Sequence, residues 1–464
     1  MLYGDVRFGR YTVGVAVVET AAALAVFGMA RSLVKVMSDE ARAGDVPYRA
    51  VAHGIALALA TLTVVSVAVA GGATVVGRLF HDPAIGSAVR LLSLAIPPMV
   101  ASDVLLAMVR FTRDMRPQVL ARSVLEPLTL TGLALGAYLA GFREHGLLLA
   151  YVAALSVAAA VSLLALCRVY RMSKWLRVPL SWSTMRGLIS FSAPTAVADL
   201  AAMLTTRVDV FLVSYFFPTQ VVGVYGMAAQ LSTIVKKIRQ GFEPIVAPVV
   251  AQGLVGTGRQ RVVGQIAMVG RWVLSVQIPV VLAFVVFGGA LLGVIGAEFV
   301  SGWSILVVLI GGDALHGWLA FGEFPVLYLH PRVNGVLGAL TPVLLVGFGV
   351  VLAGWLGPVG IAAAVLLAVL LVDLLRTEGT RRLLGAVPIS PAAWKSLVAG
   401  LAATAAVLAV RQVAGGTGLL AAGLGLPVLL ATYGAALWGL GLEPDDRRQL
   451  ARVVQRFRPR PASP

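Results

Sequence analysis

Residues 8–44 read FGRYTVGVAVVETAAALAVFGMARSLVKVMSDEARAG, and residues 222–258 read VGVYGMAAQLSTIVKKIRQGFEPIVAPVVAQGLVGTG. At a constant offset of 214, Gly9 pairs with Gly223, Tyr11 with Tyr225 and Gly44 with Gly258. In the second half this unit follows a long apolar segment at 187–216. Its counterpart in the first half would run from −27 to 2, ahead of Met1. The repeat therefore predicts a duplicated membrane protein from which the first helix is absent.

Composition supports the membrane reading. The chain of 464 residues is 59% hydrophobic and 12% charged, with a mean hydropathy of +0.91. A soluble protein of this size cannot hide so much apolar surface. The apolar residues fall in runs of about 20, the length of a helix that crosses a bilayer. They are rich in Gly, Ala and Val, as close helix packing in lipid requires. The short alternating strands of a membrane β-barrel are missing. The net charge of +16 does not point to nucleic acid, because Lys and Arg gather in short connections and in the tail. Cys167 is the only cysteine, which excludes an intrachain disulfide, and the five His have no zinc-like spacing. With no phosphate-binding loop either, neither cofactor nor metal is expected. The first apolar run carries Glu19 in its middle and has no cleavage pattern of a leader peptide.

Thirteen spans are predicted. The first half holds 11–30, 50–72, 88–109, 118–141 and 146–167. The second holds 187–216, 220–248, 264–293, 303–328, 335–356 and 358–376, and a final pair lies at 395–411 and 416–440. Basic residues alternate between rich and poor connections, apart from the turn at Arg332, which is poorer than its place requires. By the positive-inside rule the tail is then cytoplasmic. Thirteen spans put Met1 outside, and one further N-terminal helix would bring both ends inside. The expected domains are an N-terminal bundle over 1–180, a C-terminal bundle over 181–385, an extra helix pair over 386–442 and a cytoplasmic tail over 443–464. The fold class is an all-α polytopic membrane protein, two parallel-repeat bundles around a central cavity.

Residues 188–248 carry a family resemblance. Phe191-Ser192-Ala193-Pro194 stands at a helix entrance and Asp209 near its far end. Val222-Gly223-Val224-Tyr225 opens the next helix, which closes with Phe242 and Pro248. The stretch resembles the seventh and eighth helices of the polysaccharide-exporter branch of the multidrug/oligosaccharidyl-lipid/polysaccharide (MOP) superfamily. Leu2-Tyr3-Gly4 and Phe8-Gly9-Arg10-Tyr11 look like the link between that family's first and second helices. The resemblance implies a Wzx-type flippase in the cytoplasmic membrane. Such proteins move a polyprenyl-diphosphate-linked oligosaccharide outward by alternating access, without hydrolysing nucleotide. The implied partners are the lipid-linked oligosaccharide, membrane lipids, and a polysaccharide polymerase or glycosyltransferases of the same pathway.

Charges inside membrane helices cost about 2.5–3.5 kcal/mol on insertion scales, so each asks for a reason. The candidate substrate-binding residues are Arg207, Lys236, Lys237 and Arg239. Lys236, Arg239 and Glu243 share one helix face by spacing, while Lys237 points elsewhere. They serve either as a cationic cavity wall for a diphosphate or as cytoplasmic residues that snorkel to headgroups. Glu19, Asp209 and Glu243 are the coupling or ion-pair candidates. Glu19 lies mid-span, either as a proton-exchanging carboxylate or as the partner of a cation. Asp103, Glu126, Asp199, Asp313, His316, Glu323 and Asp373 are further polar residues within spans, with Asp313 and His316 spaced to hydrogen-bond each other.

Three other classes compete. A cation-coupled multidrug exporter on the same fold would favour an acidic cavity. A polysaccharide polymerase or ligase, an enzyme, would need a long external segment, and no external connection is long enough. A non-transporting partner is the third.

Overall fold

The computed structural model describes residues 3–42, 45–255, 259–413, 419–441 and 443. Among these there is no strand. The Gly44–Gly258 pair and the tail beyond residue 443 lie outside the described residues. The first helices are α1 (Gly4–Val26), α2 (Met29–Arg42), α3 (Tyr48–Leu79), α4 (Pro83–Leu92) and α5 (Ile96–Arg110). Then come α6 (Arg116–Gln118), a π-helical segment (Val119–Leu125), α7 (Glu126–Leu139), α8 (Gly146–Val169) and α9 (Met172–Trp175). The second half holds α10 (Trp182–Phe216), α11 (Thr219–Val255), α12 (Arg259–Ile295), α13 (Trp303–Leu319), α14 (Glu323–Leu329), α15 (Pro331–Leu356) and α16 (Pro358–Leu384). The last helices among the described residues are α17 (Ala393–Val413) and α18 (Leu419–Gly439).

Among the described residues, ten helical stretches are long and apolar enough to cross a membrane. Helices α10 and α11, of 35 and 37 residues, have the length but carry charges along them. The outward-facing side chains identify the solvent. Leu59, Val64, Val67 and Val75 stand exposed along α3, and Leu139 and Trp355 are 76% and 82% exposed. An apolar surface of that extent is stable against lipid and not against water.

The chain forms two compact units, 1–227 with 335–368, and 228–334 with 369–464. In the first, Val18, Ala22, Met29, Leu33, Val51, Leu92, Val104 and Leu155 join α1, α2, α3, α4, α5 and α8 in one core. The expected span 11–30 starts earlier, at Gly4, because Arg10 is paired with Asp82 and can stay helical. The expected loop after it is instead the amphipathic helix α2, with Met29, Ser32, Leu33 and Met37 buried on one face. Between α1 and α2 the backbone turns left-handed at Phe27 and Gly28, with φ of 51° and 68°. At Gly28 a side chain would meet the Ser192 carbonyl at 2.6 Å, so α10 approaches here to backbone contact. Ser32 and Ser192 share a hydroxyl hydrogen bond of 2.6 Å at the same point.

The repeat is visible as a contact. A Cβ on Gly9 would strike the carbonyl oxygen of Thr219 and lie 3.0 Å from the Gly223 nitrogen. A Cβ on Gly223 would strike the carbonyl of Asp5 and lie 3.1 Å from the Gly9 nitrogen. Asp5 and Thr219 each stand four residues before their glycine, so they too are related by the offset of 214. Thr12 and Gly226, another pair at that offset, touch one turn further along, with Thr12 Oγ1 2.7 Å from a Cβ placed on Gly226. The helices α1 and α11 therefore cross on equivalent residues, the reciprocal contact that a two-fold relation produces.

In the second unit one core gathers Val246 and Val250 of α11, Val262 and Ile266 of α12, Phe321 of the turn between α13 and α14, and Leu384 of α16. Another joins Leu274, Ile278 and Phe287 of α12 to Ala399, Ala403 and Val407 of α17 and Leu429 and Tyr433 of α18. The final helix pair thus packs on α12. The expected span 303–328 is broken by a tight turn at Ala320–Gly322, whose last carbonyl accepts the Thr380 hydroxyl at 2.7 Å.

Candidate functional site

A cavity of about 690 Å³ opens within the first unit. It is lined by Ala23 and Val26 of α1, Ala30, Arg31 and Val34 of α2, Asp103, Leu106 and Arg110 of α5, Gln118, Arg122, and Asp199 of α10. Three arginines face two carboxylates. Arg31 pairs with Asp199 at 3.2 Å, and Arg110 donates to the Gln118 side chain at 3.3 Å. Arg122 sits on the π-helical segment, donates to Glu126 at 3.0 Å and pairs with Asp103. Pro127, just past that segment, removes the N–H that would bond one α-turn back, which favours the wider turn. The wide turn carries Arg122 to the cavity, where only 22% of its side chain is exposed.

One turn above the cavity along α1, Glu19 pairs with Arg207 of α10 and accepts a hydrogen bond of 3.2 Å from the Tyr151 hydroxyl of α8. Glu19 and Arg207 thus form an ion pair between α1 and α10. Asp209, two residues on, faces elsewhere. Its Oδ2 accepts from the Tyr225 hydroxyl at 3.0 Å and its Oδ1 from the Val210 N–H at 2.8 Å. Tyr225, buried completely, is one of the two repeat tyrosines.

The remaining sequence candidates lie in the second unit. Lys236 approaches Asp313 at 3.6 Å, Arg239 pairs with Glu243 one turn along α11, and Lys237 is exposed. Asp313 and His316 do not bond each other as their spacing suggested. His316 turns to Asp373 of α16, with Nδ1 2.6 Å from Oδ2. Trp303 and Trp394 are about half exposed and Trp355 is more so, whereas Trp318 packs into the core of α12, α17 and α18.

Sequence reading missed Arg31, Arg110 and Arg122 as cavity residues. The four-residue spacing of Arg122 and Glu126 was the available signal. It also missed Asp82, which precedes α4. Asp82 accepts from the Ala84 N–H at 2.9 Å, Arg10 Nε at 3.0 Å and the Thr219 hydroxyl at 2.9 Å, so one carboxylate ties α1, α4 and α11. Burial pushes its carboxyl up, but these hydrogen bonds and the Arg10 charge outweigh burial and hold it below its ordinary value. An Asp followed by Pro at the first helical position is a recognisable cap.

No curated protein matches the chain by sequence. Solved structures do match its fold. The lipid II flippase MurJ, in an inward closed conformation, aligns with a TM-score of 0.71 at 11% identity, covering 93% of this chain and 96% of that one. An inward-facing multidrug resistance MATE family transporter of the MOP superfamily aligns at 0.69 and 12% identity, covering 82% and 91%. A MATE structure in a bent conformation aligns at 0.54 and 13% identity, covering 83% and 94%. At such identities the likeness establishes the fold of these transporters, and the multi-pass helical architecture agrees with it. The family of polysaccharide biosynthesis proteins matches residues 2–251, more than half of the 464, and the chain belongs to that family.

Proposed function

We propose that this membrane protein is a flippase that carries a polyprenyl-diphosphate-linked oligosaccharide across the cytoplasmic membrane for surface glycan synthesis. The observation that carries the reading is the arginine excess of the cavity in the first unit. Arg31, Arg110 and Arg122 outnumber Asp103 and Asp199 there. A diphosphate needs cations that form charge-assisted hydrogen bonds, and arginine presents them in a planar fork. Lys236, Lys237, Arg239 and Arg207 are proposed as further cations along the substrate's path, and the two bundles divided near 168–186 as the moving parts. The partners proposed are the glycosyltransferases and polymerase of the same pathway. The chain acts as a transporter and not as an enzyme.

The MATE-like fold keeps a multidrug exporter as the second reading. A cationic drug would need a carboxylate free to meet it. Both cavity carboxylates are held by arginine, Asp103 by Arg122 and Asp199 by Arg31, which favours the anionic substrate. The test is flipping in vesicles of a fluorescent oligosaccharide on a polyprenyl diphosphate, beside efflux of a cationic dye. The expected result is glycolipid flipping that falls at least about tenfold in Arg31→Gln/Arg110→Gln, the loss of about 1.4 kcal/mol of anion stabilisation. Dye efflux without glycolipid flipping would establish the multidrug reading instead.

A further inference from the structure

The second unit holds a cavity of its own, of about 550 Å³, within the range of about 300–1,000 Å³ found for small-molecule sites. Helix α12 contributes Arg271 to its wall, and the connection from α16 to α17 contributes Val387 and Ile389. The start of α17 adds Trp394 and Lys395, and Glu443, beyond α18, completes it. One turn past Arg271, Leu274 packs in one core with Ala393 and Ala399 of α17, which fixes the two helices against each other beside the cavity. Helix lengths set its level in the bilayer. The 21 residues of α17 rise about 31 Å, the thickness of the hydrocarbon core. Its first residues, Trp394 and Lys395, therefore lie where hydrocarbon meets headgroups. The 37 residues of α12 rise about 55 Å and overshoot the core, so Arg271 reaches the same boundary from within its helix.

The wall joins two kinds of surface. Val387 and Trp394 are 45% and 51% exposed, apolar groups presented outward at the boundary. Arg271 is 8% exposed and the Lys395 side chain 19%, and cations so far from water call for anionic company. Lys395 donates to Glu443 at 2.7 Å and to the Gly441 carbonyl at 2.9 Å, which engages two of its three N–H bonds. The Arg271 guanidinium carries five N–H donors, enough to hold a phosphate beside another partner. Among the described residues of the wall, two cations stand against one carboxylate. Such a wall suits an anion that has an apolar body.

We propose that this cavity binds the phosphate of an anionic phospholipid, with Arg271 and Lys395 on the phosphate oxygens and Val387, Ile389 and Trp394 against the apolar part of the lipid. The lipid comes from the cytoplasmic leaflet, whose surface is negative and to which the basic connections assign this end of the chain. The same end carries Arg381 and Arg382, exposed around Glu378, and the sequence beyond Glu443 holds six arginines against two aspartates. Their field raises the local concentration of anionic lipid, and the cavity selects one molecule at a fixed position. Arginine takes phosphate in a planar fork, and lysine adds a point charge. An occupant that binds only the folded chain stabilises the docking of α17 on α12. Inorganic phosphate offers the same charged oxygens without the apolar body, so the lipid is the better match to this wall. The inference does not depend on the identity of the transported substrate.

The test reads Trp394 as the difference in fluorescence between the full chain and Trp394→Phe, both in phosphatidylcholine vesicles. Phosphatidylglycerol brominated on its acyl chains is expected to quench that difference at a roughly 25-fold lower proportion than brominated phosphatidylcholine, about fivefold for each cation. Arg271→Gln and Lys395→Gln each lower the preference by about fivefold, whereas Glu443→Gln, which removes negative charge from the wall, raises it. The last two variants carry the test should Arg271→Gln fail to insert. If the Lys395–Glu443 pair were only a structural clasp, both would lower the preference. Arg381→Gln/Arg382→Gln, outside the cavity, should leave it within about twofold. The proposal is overturned if the parent shows no preference, if Lys395→Gln and Glu443→Gln do not move it in opposite directions, or if the double variant outside the cavity lowers it as much as Lys395→Gln. Release of the quenching by excess inorganic phosphate would make this a site for a free anion, and release by polyprenyl phosphate would place it on the route of the transported lipid. Either outcome overturns the proposal. Flipping is not measured, so failure here and failure of the flippase reading are separate results.

Discussion

Placing a methyl group on Gly9 tests the repeat contact directly. The new Cβ would overlap the Thr219 carbonyl oxygen and stand 3.0 Å from the Gly223 nitrogen, both backbone atoms of α11. Backbone cannot rotate aside as a side chain can, so α1 and α11 must separate. Overpacking of this kind costs about 1–3 kcal/mol. Gly223→Ala drives its Cβ into the Asp5 carbonyl and should cost a similar amount. Once one substitution has parted the helices, the second enters space already made. The double variant should therefore be less destabilised than the sum of the singles, by about 1 kcal/mol. Gly71→Ala and Gly72→Ala, which meet nothing within 4 Å, are the controls and should stay within about 0.5 kcal/mol of the parent. The assay is reversible unfolding in mixed micelles titrated with SDS, followed by tryptophan fluorescence. The reasoning fails if Gly9→Ala is as mild as Gly72→Ala, or if the two repeat substitutions add.

Glu19→Gln or Arg207→Gln alone leaves a half-buried charge without its partner and should cost about 2 kcal/mol in the same titration, while the double variant recovers most of it. Asp82 provides an acid dependence. Its carboxyl is held below the usual value, so its contribution is complete above the unfolded value of about 3.9 and is lost as pH falls from there through the folded value. Between pH 5 and 3 the stability of Asp82→Asn should therefore fall less steeply than that of the parent, as read by micelle unfolding at each pH. Lys236→Gln/Arg239→Gln should reduce glycolipid flipping in vesicles without reducing membrane insertion, and undiminished flipping would place both residues among the snorkelling cations.

The helical membrane fold was legible because its signals are local. Length and apolarity mark each span, whereas the helix caps at Asp82-Pro83 and Ser181, equally local signals, went unread. The continuation of α1 upstream of residue 11 was hidden, because Arg7 and Arg10 read as loop charges until Asp82 is seen beside Arg10. Partner choice among buried charges was hidden for the same reason. Glu19 and Arg207 are 188 residues apart, and His316 prefers Asp373, 57 residues away, to Asp313 on its own helix. Spacing along one helix states which side chains share a face, and it is silent on what the neighbouring helix offers. The arginine-lined cavity belongs to this hidden part, since it draws on six separate elements along the chain.

The reciprocal glycine crossing has a consequence for how the two copies of the repeat can diverge. In a homodimer every change at such a crossing appears twice, once on each side, and both copies must tolerate it together. Fusion into one gene lifts that restriction. Here the crossing itself stays symmetric, with Gly9 against Gly223, but the clasp beside it does not. At the same offset Arg10 corresponds to Val224 and Asp82 to Gly296, so only the first copy carries the ion pair. The backbone contact behaves as an inherited constant, and the charges around it record how each copy specialised after duplication.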